Sequence, residues 1–410
     1  MPCASPPASP LSALTRIVVV LSAASVAACT SLAVTSVEPG VVEQGTGADL
    51  TITGSGFVEG VDFGLAAAGL DITLGAVTLI DEETATARLG ATTPAGVYDV
   101  VARQGDTRVA LEAALTVASD AARLVFIDVG QGDATLVIAP GGETMLIDGG
   151  RVESAEAIRT ALDTHAAGRI DVIVISHFDV DHVGGVVELL MGSDGVAGSD
   201  DDLVVSDVLV PSGLASCDAQ VCERLRAVRA TTRVPVVGEE VSLGLLSPRI
   251  VAVDGVVDGA ASPGEIDDNG RSVVIDVEWG GRHALILGDL TGGGLGTVDV
   301  EGPLSLVTGA VDVLRVAHHG SATSSNAAAI ARWQPRVAVV SVGSENTYCH
   351  PEPSALTRVA SASGTVLSTG RGIVDDAARC GQATPTFENT RMGLGDVVVT
   401  LSADGTVTHP

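Results

Sequence analysis

The chain contains no lysine. Its 22 basic residues are all arginine, against 51 Asp and Glu, and the formal net charge is −29. A surface this acidic repels polyanions at long range, because affinity for nucleic acid rests largely on neutralising phosphates with basic side chains. A phosphate-bearing substrate would have to be held by local groups or by a metal. Aromatics are scarce too, at 2% of residues, so the 46% hydrophobic content must build its core from Val, Leu, Ile and Ala. No Cys-x-x-Cys pair occurs, which argues against a thiolate metal site. No apolar run of about twenty residues follows the first thirty, so a channel of membrane helices is excluded there.

What the chain has begins with its leader. In residues 16–29, RIVVVLSAASVAAC, Arg16 precedes a short apolar stretch and small residues lead to Cys29. This pattern reads as a signal peptide over 1–29. The box Val26-Ala27-Ala28-Cys29 is similar to a bacterial lipoprotein cleavage site, in which Cys29 becomes the lipidated first residue. An ordinary secretory signal is the alternative. Either way the expected location is extracytoplasmic, as a membrane-anchored lipoprotein or a secreted protein. Cys217, Cys222, Cys349 and Cys380 remain downstream, an even number that fits two disulfides in an oxidising compartment. Three pairings are possible; closeness in sequence favours Cys217–Cys222 with Cys349–Cys380.

At 410 residues the chain calls for two or more domains. Residues 33–118 alternate apolar and polar positions between Gly and Pro turns, which predicts about seven short strands in an all-β sandwich. Glu38-Pro39-Gly40, TITGSGF (51–57) and PAGVYDV (94–100) resemble IPT/TIG immunoglobulin-like domains. That resemblance implies a spacer or a module that binds a glycan or a protein. From residue 122 to 405, continuous apolar strands such as LVFIDV, ATLVIA and DVIVIS alternate with helical patterns. Such runs predict an α/β domain whose sheets are covered by helices.

ISHFDVDHVGG, residues 175–185, places His177, Asp179, Asp181 and His182 where a buried strand ends. Divalent metals bind imidazole nitrogen and carboxylate oxygen, and four such groups in six residues point to a metal site. On an extended segment His177, Asp179 and Asp181 would share one face, with Phe178 and Val180 turned back into the packing. Gly184 and Gly185 would let the following helix pack closely. Two later strands also end in potential ligands: ALILGDLTG brings out Asp289, and VLRVAHHGS brings out His318 and His319.

These motifs closely resemble the metallo-β-lactamase superfamily, whose fold is a four-layer αββα sandwich. FIDVGQGDATLVIAPGGETMLIDGG, SHFDVDHVGG, DNGRSVVIDV, LILGDL, VLRVAHHGS and SVGSENTYCHPEPSAL resemble, in order, the nuclease domain of ComEC-like competence proteins. The resemblance implies that His177, Asp179, Asp181 and His182 are metal ligands and that Asp289 bridges two metals. His319 would complete the second site, with His318 as its rival. Asp148 and Asp128 would orient the ligand loop from behind, and Gln131 and Asp133 share the tight turn with Asp128. Ser321, Ser324, Asn346 and His350 would line the substrate side. Asp179 stands where the superfamily usually has a second His, so the first metal site is richer in oxygen. This favours manganese or magnesium more than a three-His zinc site would, and argues against a true lactamase on chemical grounds. The implied reaction is hydrolysis assisted by one or two divalent ions (Zn or Mn, with Mg possible), with Asp181 and Asp289 orienting water or accepting its proton. The expected substrate is a small-molecule or nucleic-acid phosphodiester. Another ester, of choline-phosphate or lactone type, and a non-catalytic surface-binding lipoprotein are the alternatives.

Overall fold

The computed structural model describes residues 31–410 except 68–69, 167, 201, 204, 206, 218, 229, 260–264, 345, 373–378, 382–384 and 386. The expected leader, with Cys3 and the expected box at Cys29, lies outside the described residues. Nine strands between 33 and 118 form two sheets. One has the order Ala33–Glu38, Ala48–Ser55, Thr84–Leu89, Gly75–Leu79; the other runs Val41–Glu43, Thr107–Ala118, Gly96–Gln104, Asp62–Ala67, Leu70–Thr73. Their facing sides enclose Leu50, Ile52, Phe57, Phe63, Leu65, Leu89, Tyr98 and Leu115. Several of the few aromatics are concentrated here: Phe57 meets Phe63 edge to face at 5.3 Å, and buried Tyr98 donates its hydroxyl to the Pro94 carbonyl at 2.9 Å.

The rest of the chain forms two eight-stranded sheets. The first has the order Thr232–Arg233, Asp207–Leu209, Val172–Val174, Thr144–Ile147, Thr135–Ile138, Ala121–Phe126, Val397–Ser402, Val407–Thr408. The second runs Val256–Val257, Arg249–Val253, Val274–Trp279, Arg282–Ile286, Val313–Arg315, Val337–Val340, Thr365–Ser368, Thr390–Arg391. Among the described residues these helices accompany them: α1 (Ala155–His165), α2 (Val180–Leu190), α3 (Gln220–Ala227), α4 (Glu301–Thr308), α5 (Ala327–Trp333) and α6 (Pro353–Ala362).

The strand sequences account for the layering. Successive strand side chains face opposite ways, and these strands are apolar on both faces. Leu124, Met145, Ile147, Val174, Ile286, Val339 and Leu367 meet in one core between the two sheets. Their chain neighbours Val125, Leu146 and Ile173 pack outward against α1, α2 and α3. On the other side Leu285, Leu314, Ala338 and Val340 pack against α4, α5 and α6. The result is the four-layer αββα arrangement expected from the sequence. Among the described residues no helix is long and apolar enough to cross a membrane.

The extended reading of residues 177–181 needs correction. Helix α2 already begins at Val180, so Asp181 and His182 reach the site from a first helical turn and not from strand alternation. Phe178 is buried as expected, but Val180 is 45% exposed and does not turn into the packing. The helix starts early because the loop 148–150 is stitched to it: Gly149 donates to the His182 carbonyl at 2.7 Å, and Gly185 donates to the Gly150 carbonyl at 3.1 Å. The close approach demands glycine, since a Cβ on Gly185 would stand 2.0 Å from the Gly149 carbonyl oxygen.

Trp333, at the end of α5, is the largest fully buried side chain, and its indole N–H donates to Thr308 Oγ1 at 2.9 Å. Trp333→Ala leaves a large cavity and is expected to destabilise the domain by about 3–5 kcal/mol. Urea unfolding should show a lowered midpoint with an unchanged slope.

Candidate metal centre

The candidate ligands come from strand ends that topology forces together. In the first sheet Thr144–Ile147 and Val172–Val174 run parallel, and Asp148 and His177 follow their C-terminal ends. In the second sheet Arg282–Ile286 and Val313–Arg315 run parallel, and Asp289, His318 and His319 follow theirs. Gly288 lets the two loops meet, since a Cβ there would lie 2.7 Å from the Ser176 side chain. In open parallel sheets this C-terminal edge is where ligands bind.

Three imidazoles converge through their Nε2 atoms because the protein occupies each Nδ1. His182 Nδ1 lies 2.8 Å from Asp148 Oδ2. His177 Nδ1 lies 3.0 Å from Ser176 Oγ, whose hydroxyl proton goes to Asp148 at 2.6 Å. His319 Nδ1 lies 2.9 Å from the Ser341 carbonyl. A carbonyl only accepts, so His319 donates from Nδ1 and its Nε2 keeps a lone pair. Asp148, which takes the left-handed backbone conformation at φ 60°, also accepts the Ser176 backbone N–H at 2.7 Å. Such backing is the usual means by which metal-binding imidazoles are fixed in tautomer and direction.

Around these nitrogens stand carboxylates. Asp289 Oδ1 is 3.2 Å from His182 Nε2, and its Oδ2 is 3.6 Å from both His318 Nε2 and His319 Nε2. His182 Nε2 and His319 Nε2 are 3.3 Å apart, and Asp181 Oδ2 is 3.7 Å from the latter. Two triads have ligand atoms close enough for one ion: His177, His182 and Asp289, and Asp181, His182 and His319. A third group, Asp133 with Asp148 and His182, lies behind them. His177 Nε2 and Asp289 Oδ1 are buried and have no aligned hydrogen-bond partner among the described residues. Orphaned polar atoms of this kind carry a heavy desolvation penalty unless something compensates them. The donor set fits a divalent cation.

The electrostatics agree. Burial alone would raise the Asp289 carboxyl, but the surrounding His182, His318 and His319 hold it well below the usual carboxylate range. Burial pushes His182 down, yet Asp289 and Asp148 outweigh it and hold the imidazolium well above its ordinary value. Burial, reinforced by Arg315 and by the other histidines, pushes His319 far down against the pull of Asp289. The pocket concentrates negative charge that a proton on His182 balances, and a metal would take that role.

The remaining candidates are distributed as follows. Asp179 sits next to the cluster, with Oδ2 3.5 Å from His177 Nε2, but its side chain is 55% exposed and it joins neither triad. His318 is held by Thr323 Oγ1 at 2.8 Å and is more exposed than its buried neighbour His319. Both histidines have φ 52°, a left-handed conformation that costs about 1–3 kcal/mol per residue and collects at functional sites. Asp128 is engaged elsewhere, accepting the Gly130 N–H at 3.1 Å, while Gln131 accepts the Gly343 N–H at 3.3 Å. Ser324 donates to the Ala317 carbonyl, and Ser321 Oγ receives the Thr323 hydroxyl and N–H. These two serines brace the histidine loop. Asn346 is buried, donating to the His350 carbonyl and accepting the Tyr348 N–H. The His350 ring lies near His318 and His319, at 5.7 and 6.3 Å between centroids. Cys217–Cys222 and Cys349–Cys380 are both disulfide-bonded.

Arg315 was not anticipated. It is fully buried beneath the cluster, with Nε 2.8 Å from Asp133 Oδ2, Nη1 bonded to the Gly288 carbonyl, and Nη1 3.6 Å from Asp289 Oδ1. Its signal was a lone charge inside the apolar run VLRVA.

Asp148→Asn removes the charge that holds His182 and is expected to weaken zinc or manganese binding about 10–100-fold with the fold retained. Metal must displace the His182 proton, so affinity rises with pH. Losing Asp148 removes an upward pull on that proton, so the midpoint of the pH dependence should move down. Calorimetric titrations across pH, with circular dichroism as the control for folding, check both effects.

Comparison with known proteins places this geometry. Residues 127–193 match the model of the Metallo-beta-lactamase superfamily. ComE operon protein 3 of Bacillus subtilis (strain 168) is 27% identical over 271 residues, covering 59% of this chain and 31% of that protein. Competence protein ComA of Neisseria gonorrhoeae is 29% identical over 239 residues, covering 57% and 28%. The chain thus spans less than a third of the length of the curated relatives it matches. Among solved structures, the metallo-β-lactamase FIM-1 from Pseudomonas aeruginosa is similar over 53% of this chain and 69% of its own, at 14% identity and a TM-score of 0.25. The part of the chain built on the two eight-stranded sheets has the metallo-β-lactamase fold, and its sequence is ComEC-like.

Proposed function

We propose that the protein is an exported, metal-dependent phosphodiesterase, nuclease-like in chemistry. The observation that carries this reading is the set of Nε2 atoms of His177, His182 and His319, held from behind and meeting the carboxylates of Asp181 and Asp289. The coarser statement, a metal-dependent hydrolase fold, already follows from the family likeness. The phosphodiester preference rests on the likeness to the nuclease domain of ComEC-like proteins, among them one named for competence.

A bound divalent ion would supply Lewis acidity, drawing charge from a phosphoryl oxygen and acidifying a coordinated water. His177, His182, His319, Asp181 and Asp289 would hold it, whether one ion or two. The protein does the rest. Asp289, buried with its negative charge intact, fixes the histidine rings electrostatically. Asp181 is the carboxylate placed to meet an incoming water, because its side chain keeps 17% exposure while Asp289 keeps 3%. His318 and His350 line the approach to the cluster. With a net charge of −29 on the chain, a short or single-stranded substrate suits the site better than a long duplex. The two disulfides support export. Anchoring through Cys29, and a glycan or protein ligand for the N-terminal sandwich as an IPT/TIG-like module, belong to the same proposal.

Purified protein should cleave an aryl phosphodiester with added manganese or zinc and lose that activity on chelation. Asp289→Ala and Asp181→Asn should each lower kcat/KM by about a thousandfold or more, with the fold retained, if water activation needs both groups. Equal rates in wild type and Asp289→Ala would eliminate the reading. Cleavage of a choline-phosphate ester or a lactone, without phosphodiester turnover, would shift the assignment to those esters. Neither bound metal nor a thermal shift on adding it would leave a non-catalytic surface protein.

A further inference from the structure

We propose that Tyr348 is a stacking platform for a nucleobase at the mouth of the metal centre; this deepens the phosphodiesterase reading and rests on it for the position of the phosphate. Tyr348 is 55% exposed, the one aromatic side chain among the described residues that stands largely in solvent. The other tyrosine, Tyr98, is buried with its hydroxyl bonded. In a chain so poor in aromatics, an exposed ring at this place calls for a partner.

The backbone that carries the ring is held in place. Its backbone N–H donates to Asn346 Oδ1 at 2.9 Å, and Asn346 is itself fully buried and ties back to the His350 carbonyl at 2.8 Å. The next residue, Cys349, is disulfide-bonded to Cys380 and sits at φ 62°. A pinned loop loses little further freedom when something packs on it, which favours binding.

Its orientation points toward the cluster. The Tyr348 and His350 rings are nearly parallel, at 13° and 6.1 Å between centroids. His350 and His319 are also nearly parallel, at 25° and 6.3 Å. The three rings therefore lead in two steps from a candidate metal ligand to solvent. From the opposite side of the mouth, Arg151 donates to the Tyr348 hydroxyl at 3.3 Å. Arg151 follows the loop that carries Asp148, so the Tyr348–Arg151 contact joins the two halves of the domain across the opening. An aromatic face with a guanidinium at its edge is the combination that holds single-stranded nucleic acid, through base stacking and attraction to phosphate. Every base has a π-face, so the platform would favour nucleotides over plain phosphodiesters with little preference among sequences.

The test is equilibrium binding to metal-loaded protein of a thymidine dinucleotide and of the same sugar–phosphate lacking its bases. Stacking is worth about 1–3 kcal/mol per base, so wild type should prefer the base-bearing ligand by about fivefold or more. Tyr348→Ala should bring that preference close to one, and Tyr348→Phe should keep it; Tyr348→Leu serves if the alanine variant is poorly folded. Equal affinity of wild type for the two ligands, binding of neither, or an unchanged preference in the alanine and leucine variants overturns the platform. A base preference lost in Tyr348→Ala, without metal-dependent cleavage, keeps the platform and removes the phosphodiesterase reading. Cleavage without base preference does the reverse.

Discussion

The site depends on one carboxylate that touches no substrate. Asp148 accepts the Ser176 backbone N–H, the Ser176 hydroxyl and His182 Nδ1, all within 2.8 Å. Through Ser176 it also fixes His177, whose Nδ1 leans on the same hydroxyl. A single buried charge thereby sets the direction of two imidazoles from different elements, one after a strand and one in the first turn of α2. That charge is tolerable in an apolar interior only because each of its bonds is short and it faces a cation, here the imidazolium of His182. His319 is fixed independently, by a backbone carbonyl of the second sheet. The two halves of the site are built separately and meet only when the sheets pack.

The same constraint explains Arg315. Asp133, Asp148, Asp181 and Asp289 bring four carboxylates close to one point at the bottom of a strongly acidic chain. Buried Arg315 pairs with Asp133 and stands within 3.6 Å of Asp289, sharing its charge between the structural and the ligand carboxylate. The Nε–Asp133 contact is close but poorly aligned for a hydrogen bond, so it acts mainly through charge. Without it, folding before metal binding would leave like charges facing one another in low dielectric, a large penalty.

How much of this could be read from the sequence follows from how each residue acts. The candidate ligands were legible because ligation needs particular atoms: His177, Asp181, His182, Asp289 and His319 stand out where apolar strands end. The layers were legible too, since runs such as LVFIDV must be covered on both faces. What stayed hidden was contributed by geometry or by backbone. Ser341 acts through its carbonyl, which every residue has. Ser176 looks like any small residue at a strand end. Asp179 and Asp181 read as equivalent on an extended chain, and only the early start of α2 sends one into the cluster and leaves the other half in solvent. Ser321, Ser324 and Asn346 read as substrate contacts from their place in the motifs. In the fold their hydroxyls and amide engage local backbone and neighbouring hydroxyls, holding the histidine loop and the Tyr348 loop.

Those braces bear on how an acidic protein can handle an anionic substrate. At a Debye length of about 8 Å, the charge of −29 is felt mainly near the surface. It slows the approach of a polyanion more than it weakens contacts inside a cleft. Attraction must therefore be local and rigid: a cation deep in the pocket, a guanidinium at its rim, and loops already in place. Left-handed His318 and His319, held by Thr323, Ser321 and Ser324, supply that rigidity on one side, and the loop pinned at Cys349 supplies it on the other. A site that had to assemble around its substrate would meet the repulsion of the whole surface before it gained any contact. One built beforehand meets that repulsion only during approach, so the proposed site would favour small or thin anions that bring few charges with them.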